Sequence, residues 1–430
     1  MANEPRSAVP ASPTTRDVDD DLVRDAYVYL LGRALVVRQE QIDRASEGFA
    51  YNTLRFNPLG SAEFVNPNLD VAYLEAWFAV DDDSAVLLDV PAIEGRYYTA
   101  QLLDEWGEVI ANVNEREMPT HPWGRFALVA PGSRVDVPAD VPRLTLHGRK
   151  AKLLARVELQ GDPDRAVALQ HAFAAHVIGR PVIPDPPALP PFDNATLLGV
   201  ELFDHAPAVL ASALDVSPAA ARLQVAAHAV AATAAADPAE RERLDAYLRR
   251  TVVPGFQRWA LTGSAPYVDH WIGGGRIGTY GADVALRTVA NYAGIWANTA
   301  SEVVYFVATR DAEDEPFDGG RQYRLRFAPG ALPADAVAAY WSIILVGVPD
   351  YRVVPNELDR YNLNQYSPLA PDDDGGLTIA IGPEAPDDVP TTNWLPSAAG
   401  RPFSLTLRSY VPVTARPFGT WGPPAVTPRA

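Results

Sequence analysis

The run VNPNLDVAYLEAW, Val65 to Trp77, is where a period of two first appears along the chain. Asn66, Asn68 and Asp70 fall on alternate positions, and Tyr73 follows within an apolar stretch. In an extended backbone such alternation puts the polar side chains on one face. Two readings are open. The asparagines and the aspartate can hydrogen-bond the backbone around Pro67 and shape a tight approach to the strand. Or they face a bound molecule, with Asp70 as an acid–base or anchoring carboxylate and Tyr73 and Tyr97 as nearby donors.

The same kind of run recurs beyond Trp77. VAYLEAWFAV, AVLLDV, RYYTAQLL, GEVIANV, RFALVA and AKLLARVEL follow one another from Val71 to Gln160, parted by turn residues, which predicts a β-rich domain. Before it, Leu22, Val23, Ala26, Tyr27, Leu30, Leu31 and Ala34 recur at helical spacing behind an acidic start, so Asp19 to Glu47 is expected to be a helix. After it, Asp164 to Gly179 is expected to be helical, and RPVIPDPPALPPF, Arg180 to Phe192, is a proline-rich linker. A helical segment of roughly seventy residues comes next. From Pro266 strands return: QYRLRFA, AYWSIILVGV, GLTIAI and FSLTLRSYVPV, with one long helix from Gly281 to about Ser301. Gly273 to Gly275 reads as a flexible loop. The expected division is a disordered tail over 1–18, a helix and β-sandwich over 19–185, a linker and helical segment over 186–265, and a second β-sandwich over 266–430.

Composition removes several classes of function. The chain has 430 residues, a formal net charge of -18 and no cysteine. Thiolate nucleophiles, disulfides and cysteine metal sites are excluded. Lys150 and Lys152 are the only lysines, and no basic stripe exists for nucleic acid. No apolar run approaches the roughly 18 residues of a membrane span. The N-terminus lacks a basic-then-apolar leader, so a cytoplasmic location is expected.

Motifs with catalytic precedent are scarce. GxSxG, P-loop and dinucleotide glycine patterns are missing. DVDD at Asp17 to Asp20 sits where aspartates cap a helix. His171 and His176 are five apart and point about 140° from each other on a helix, so no helical metal pair forms. His121 and His147 stand alone. No metal or cofactor is expected. The predicted helix after Gly281 is more informative. Arg287, Asn291, Gly294, Asn298, Glu302 and Tyr305 would share one face within about 80°, opposite Val289, Ala293, Trp296 and Ala300. Amides, one arginine, one glutamate and a tyrosine suit a buried polar seam or a pocket wall.

Taken in order, PNLDVAY, EGRYYTAQLLD, YGADVALRTVANYAGIWANTASEVVY, YRLRFAPGALPADAVAAYWS, NELDRYNLN and NWLPSAAGRPFSLTLRSYVP resemble the bacterial two-part family of domains of unknown function 1254 (N-terminal) and 1214 (C-terminal). The resemblance spans about residues 20–425. It implies an α+β, mainly β protein of two jelly-roll-like sandwiches with helical additions, and no settled activity. Many members carry export signals, which this N-terminus lacks. The matching positions include Asn68, Asp70, Tyr73, Tyr97, Tyr280, Arg287, Asn298, Glu302, Tyr305, Trp341, Ser342, Asn356, Arg360, Tyr361, Asn393 and Trp394. Two places depart from the pattern: Val71 stands for the usual threonine after the aspartate, and Ile344 and Val346 replace Thr and Tyr.

These readings lead to an expected enzyme for a small, largely apolar organic molecule, working by metal-independent acid–base chemistry such as hydrolysis, isomerisation, cyclisation or elimination. Asp70, Tyr73, Tyr97 and Arg287 are the candidate catalytic residues. Asn68, Asn298, Glu302, Tyr305, Trp341, Ile344 and Val346 are the candidate substrate contacts. A homo-oligomer is compatible with this. The alternative is a non-catalytic sandwich protein that binds a ligand or assembles.

Overall fold

The computed structural model describes residues 18–60, 67–348 and 350–429. Asn66 of the opening run and the expected tail up to Asp17 lie outside them.

Helix α1, Asp20–Ala45, starts where the sequence places it: the Asp19 carboxylate accepts from Leu22 N at 2.8 Å, with Asp20 and Asp21 in the first turn. Its middle, from Ala26 to Val37, is buried on nearly every side, as befits a helix enclosed by neighbours. One side packs against the central helices, through Leu202, Phe203, Val209, Leu223, Ala227 and Val230. Another receives the helix Val284–Ala293. Gly32 permits that approach, since a Cβ there would lie 2.4 Å from Thr288 Oγ1. α1 and the central segment therefore share one helical core.

The β-rich halves are two-layered. In the first, a five-stranded sheet runs in the order Arg55–Phe56, Val71–Ala79, Lys150–Glu158, Tyr98–Leu103, Val109–Val113. It faces a four-stranded sheet of Arg143–Thr145, Gly124–Val129, Ala85–Val90 and Ala174–Ile178. Leu74, Phe78, Leu102 and Leu153 meet Val86, Leu88, Phe126 and Leu128 between them. In the second half, a six-stranded sheet has the order Tyr267–Val268, Trp271–Gly273, Val303–Ala308, Phe403–Tyr410, Trp341–Gly347, Asn362–Asn364. Its core face, with Phe306, Leu407, Ile343 and Trp341, packs on Tyr323, Leu325, Ile379 and Ile381 of a four-stranded sheet. The protein is thus α+β and mainly β. Each half contains one parallel strand pair, whereas a jelly roll is antiparallel throughout.

Three local expectations need correction. The helix expected over Asp164–Gly179 ends at Gln170, and Ala174–Ile178 instead pairs with Ala85–Asp89. The sheet edge and the β-branched Val177 and Ile178 favour pairing over helix. The glycine-rich loop begins as a strand, Trp271–Gly273. The long helix after Gly281 covers only Val284–Ala293. Ile295 and Trp296 turn into the left-handed region, with φ of 38° and 57°. That turn swings Trp296 onto Trp77, ring centres 5.5 Å apart, and into a cluster with Val36, Leu103 and Val109. Burial of one indole outweighs another helical turn. Tyr305 consequently sits on a strand, and the proposed polar stripe is not one helix face.

Candidate functional site between the two sandwiches

The Lys150–Glu158 strand shows why a second interface exists. Ala151, Leu153, Ala155 and Val157 enter the sandwich core, while Lys150, Lys152, Arg156 and Glu158 point away from it and are buried as well. A charged strand face ordinarily meets water. Here α1 covers its first part, where Lys150 pairs with Glu40 at 2.6 Å and Lys152 with Asp43 and Glu75 at 2.9 and 2.6 Å. The second sandwich covers the rest.

That covering sheet also turns a polar face outward. Its strand register sets Tyr305, Arg408, Ser342 and Asn364 side by side across four strands. The adjoining row holds Val307, Thr406, Ile344 and Asn362. The two outer faces form a seam in which Val71, Tyr73, Tyr97, Val303, Tyr305, Tyr340 and Tyr410 pack together. Tyr340 and Tyr410 stack at 4.1 Å, and Tyr97 meets Tyr410 edge-on at 5.2 Å.

Asp70 lies at one end of the seam, 4 % exposed. Asn68 Oδ1 accepts from the Asp70 backbone N–H at 2.9 Å, and the Asn68 amide donates to the Tyr410 hydroxyl. Asp70 Oδ1 accepts from Asn362 and Asn364 of the other half at 2.7 and 2.8 Å. Oδ2 has no hydrogen-bond partner among the described residues, and neither do the buried Ser342 Oγ and Tyr340 hydroxyl close by. Ser342 faces the carboxylate without reaching hydrogen-bond geometry. Burial pushes the Asp70 carboxyl above its ordinary range, against the opposing pull of Asn364, Ser342, Arg408 and Asn362. Leu69 packs beside it on Ile344, Val346 and Val353.

A second cluster ties the halves together. Glu302, fully buried, accepts from the Tyr97 hydroxyl at 3.0 Å and from Arg116 at 2.8 and 2.7 Å. Burial, then the Glu302 charge, raises the Tyr97 phenol well above its ordinary value.

The sequence-selected residues divide accordingly. Asn68, Asp70, Tyr73, Tyr97, Glu302, Tyr305, Ile344 and Val346 meet at the seam. Arg287 does not. It makes a bidentate pair with Asp215 at 2.9 and 2.8 Å, over the Trp106 ring, among the helices. Trp341 belongs to the core of the second sandwich, on the opposite face of its strand from Ser342. Asn298 caps its own loop, its Oδ1 accepting from Thr299 N at 2.8 Å. Asn393 and Trp394 hold backbone carbonyls of that half. Sequence reasoning missed Arg156. Its signal was present: Lys150, Lys152, Arg156 and Glu158 recur on alternate positions of a strand read only for its apolar residues.

Among the described residues no group of three histidines, acids or cysteines is arranged to hold a metal, and no helix is long and apolar enough to cross a membrane. A groove of about 540 Å³ lies elsewhere, in the helical layer beside Leu223, Tyr247, Phe256 and Trp259. It shares no residue with the seam.

Comparison with known proteins places the seam between two family domains. "Protein of unknown function (DUF1254)" matches residues 46–177, and "Protein of unknown function (DUF1214)" matches residues 302–414. The chain belongs to this two-part family. The crystal structure of the VPA0106 protein from Vibrio parahaemolyticus is similar in fold, with a TM-score of 0.64 at 18% identity over 95% of this chain and 99% of that one. A putative uncharacterized protein from Burkholderia cenocepacia aligns at a TM-score of 0.45 and 14% identity, over 97% of this chain and 91% of that one. No curated protein matches.

Proposed function

We propose that the seam is the active site of an enzyme that moves a proton on a small organic molecule, with Asp70 as the acid–base group. The reaction classes open to it are isomerisation, elimination, cyclisation and hydrolysis. One observation carries the reading: a buried carboxyl with a raised proton affinity, one of its oxygens unpartnered, beside the unpartnered Ser342 and Tyr340 hydroxyls. Buried polar atoms in a purely structural seam find partners. Three left over in one place suit a molecule that completes them. A carboxyl whose proton affinity burial has raised can hold a proton to donate or take one up. Leu69, Ile344 and Val346 offer an apolar wall for the remainder of the substrate.

A second reading has its own support. Glu302 joins Tyr97 and Arg116, and Asp70 Oδ1 is held by two asparagines of the other half. On that reading the seam cements two domains and does nothing else. Native mass spectrometry of purified protein, beside a denatured control, identifies a co-purifying organic molecule to serve as substrate. Asp70→Asn keeps the size of the side chain and much of its hydrogen bonding. The enzyme reading expects it to lose turnover by about 10²–10⁴-fold with little change in melting temperature. Full turnover in a folded Asp70→Asn protein refutes the reading. A drop in melting temperature with no bound molecule favours the cement.

A further inference from the structure

Arg156 is the group the acid–base reading leaves unexplained. It is 4 % exposed and stands on the seam face of the first sandwich. Arg33 and Arg287, buried to a similar degree, each face a carboxylate: Glu105 at 3.7 Å and Asp215 at 2.8 Å. Both lysines are paired too. Among the described residues Arg156 forms no ion pair. Its one close acceptor is Gln101 Oε1 at 2.6 Å, with the Leu154 carbonyl more distant at 3.5 Å.

Five guanidinium N–H groups therefore meet one good acceptor, and a neutral one. Buried cations are ordinarily paired, because the desolvation penalty is otherwise uncompensated. The surroundings are phenols. The guanidinium carbon lies 5.4 Å from the centre of the Tyr73 ring. Tyr73, Tyr305, Tyr97 and Tyr410 lie around it, and as neutral phenols they supply no charge to balance it. Tyr73 and Tyr305 are only half-buried, and among the described residues neither hydroxyl makes a hydrogen bond. So a permanent cation and two uncommitted, partly exposed phenol donors converge on the seam. Gln101 cannot turn away to suit another partner, since its amide donates to the Ala297 carbonyl at 2.9 Å.

We infer that the molecule taken by this seam carries a carboxylate or an equivalent oxyanion, that Arg156 is its counter-ion, and that Tyr73 and Tyr305 donate to it. The inference rests on the seam being a ligand site and names the substrate class. It narrows the expectation of a largely apolar molecule: one end is anionic, and the apolar part lies toward Ile344 and Val346. Tyr410 joins the two ends of the seam: its hydroxyl accepts from the Asn68 amide beside Asp70, and its ring packs with Tyr73, Tyr97 and Tyr305.

The test uses benzoate and benzyl alcohol as probes, titrated calorimetrically at pH 7 and equal ionic strength, with sodium sulfate as a control anion. The full chain is expected to bind benzoate at least tenfold more tightly than benzyl alcohol, and sulfate more weakly than benzoate. Arg156→Gln should erase the preference for benzoate and leave benzyl alcohol unaffected. Arg156→Lys, which keeps the charge without the planar fork, should retain part of it. Equal binding of the two probes, binding of neither, or a preference that survives Arg156→Gln overturns the inference. If Arg156→Gln fails to fold, an undiminished preference for benzoate over benzyl alcohol in Tyr73→Phe/Tyr305→Phe protein also overturns it. These outcomes are separable from the proposed activity. Turnover that depends on Asp70 with no anion preference leaves that activity standing, and an anion preference with full turnover in Asp70→Asn removes only the activity.

Discussion

Raising the pH from 5 to 8 is expected to destabilise this fold, and Glu105 is one clear cause. Glu105 is 4 % exposed where the Tyr98–Leu103 strand turns beneath α1, 3.7 Å from Arg33. Burial pushes its carboxyl from the ordinary 4.5 up to about 7, despite the opposing charges of Arg33 and Lys150. A carboxyl raised in this way holds its proton more tightly folded than unfolded. Below the ordinary value both states are protonated and nothing is lost. Between 4.5 and about 7 the unfolded chain releases its proton first, and stability falls until the folded group ionises too. The interval corresponds to about 3 kcal/mol. Asp70, Glu108, Glu117 and Glu158 are raised and add in the same direction. His147 adds as well: its hydrogen bond to Asp104 raises it above 6.5, so the stability it contributes is lost as pH climbs through its folded value. The depressed carboxyls, such as Asp215 and Asp89, respond below the ordinary 3.8, outside this window. Thermal unfolding followed by circular dichroism at pH 5, 6, 7 and 8 measures the slope. At roughly 2–4 °C per kcal/mol for domains of this kind, a fall of several degrees is expected for the transition that includes α1. Glu105→Gln should flatten it. A melting temperature that holds level or rises from pH 5 to 8, or a slope unchanged in Glu105→Gln, refutes the argument.

Two further outcomes test the placement of residues. Arg287→Met strips the bidentate partner from Asp215, whose side chain is fully buried, and should cost about 3–5 kcal/mol of stability. Probe binding at the seam should be unaffected in folded protein, and an unchanged melting temperature would contradict the pairing. Gly273→Ala puts a Cβ 2.0 Å from the Tyr305 carbonyl oxygen at a φ of 149°. It should cost about 1–3 kcal/mol and loosen the pairing of Trp271–Gly273 with Val303–Ala308, seen as faster amide exchange at Phe306 to Ala308; unchanged exchange there would show that the pairing yields without strain.

The parts legible in the sequence are those that depend on neighbours along the chain. α1 carried its cap, its acidic first turn and its apolar spacing, and it forms within two residues of expectation at either end. The strands around VAYLEAWFAV showed their period directly. The seam was half legible. Asn68, Asp70, Tyr73 and Tyr97 stood out because polar groups alternated within an apolar run. Arg287 was selected for the same kind of reason and proved to be paired elsewhere. A helix period cannot announce that the chain will turn left-handed at Ile295 and Trp296 to bury an indole against Trp77. Arg156 stayed hidden because a charged strand face reads as a solvent face until the structure shows what covers it.

That both lysines are buried between α1 and the first sandwich has a chemical consequence. Apart from the α-amino group, the folded protein offers amine reagents nothing to acylate. Acetylation, biotinylation or amine cross-linking at Lys150 or Lys152 would record only those moments when the helix has lifted from the sheet, so the rate of lysine modification is a clock for that opening. Conversely, immobilisation through lysine amines would fail on the folded chain, and side-chain handles for coupling must be introduced by substitution.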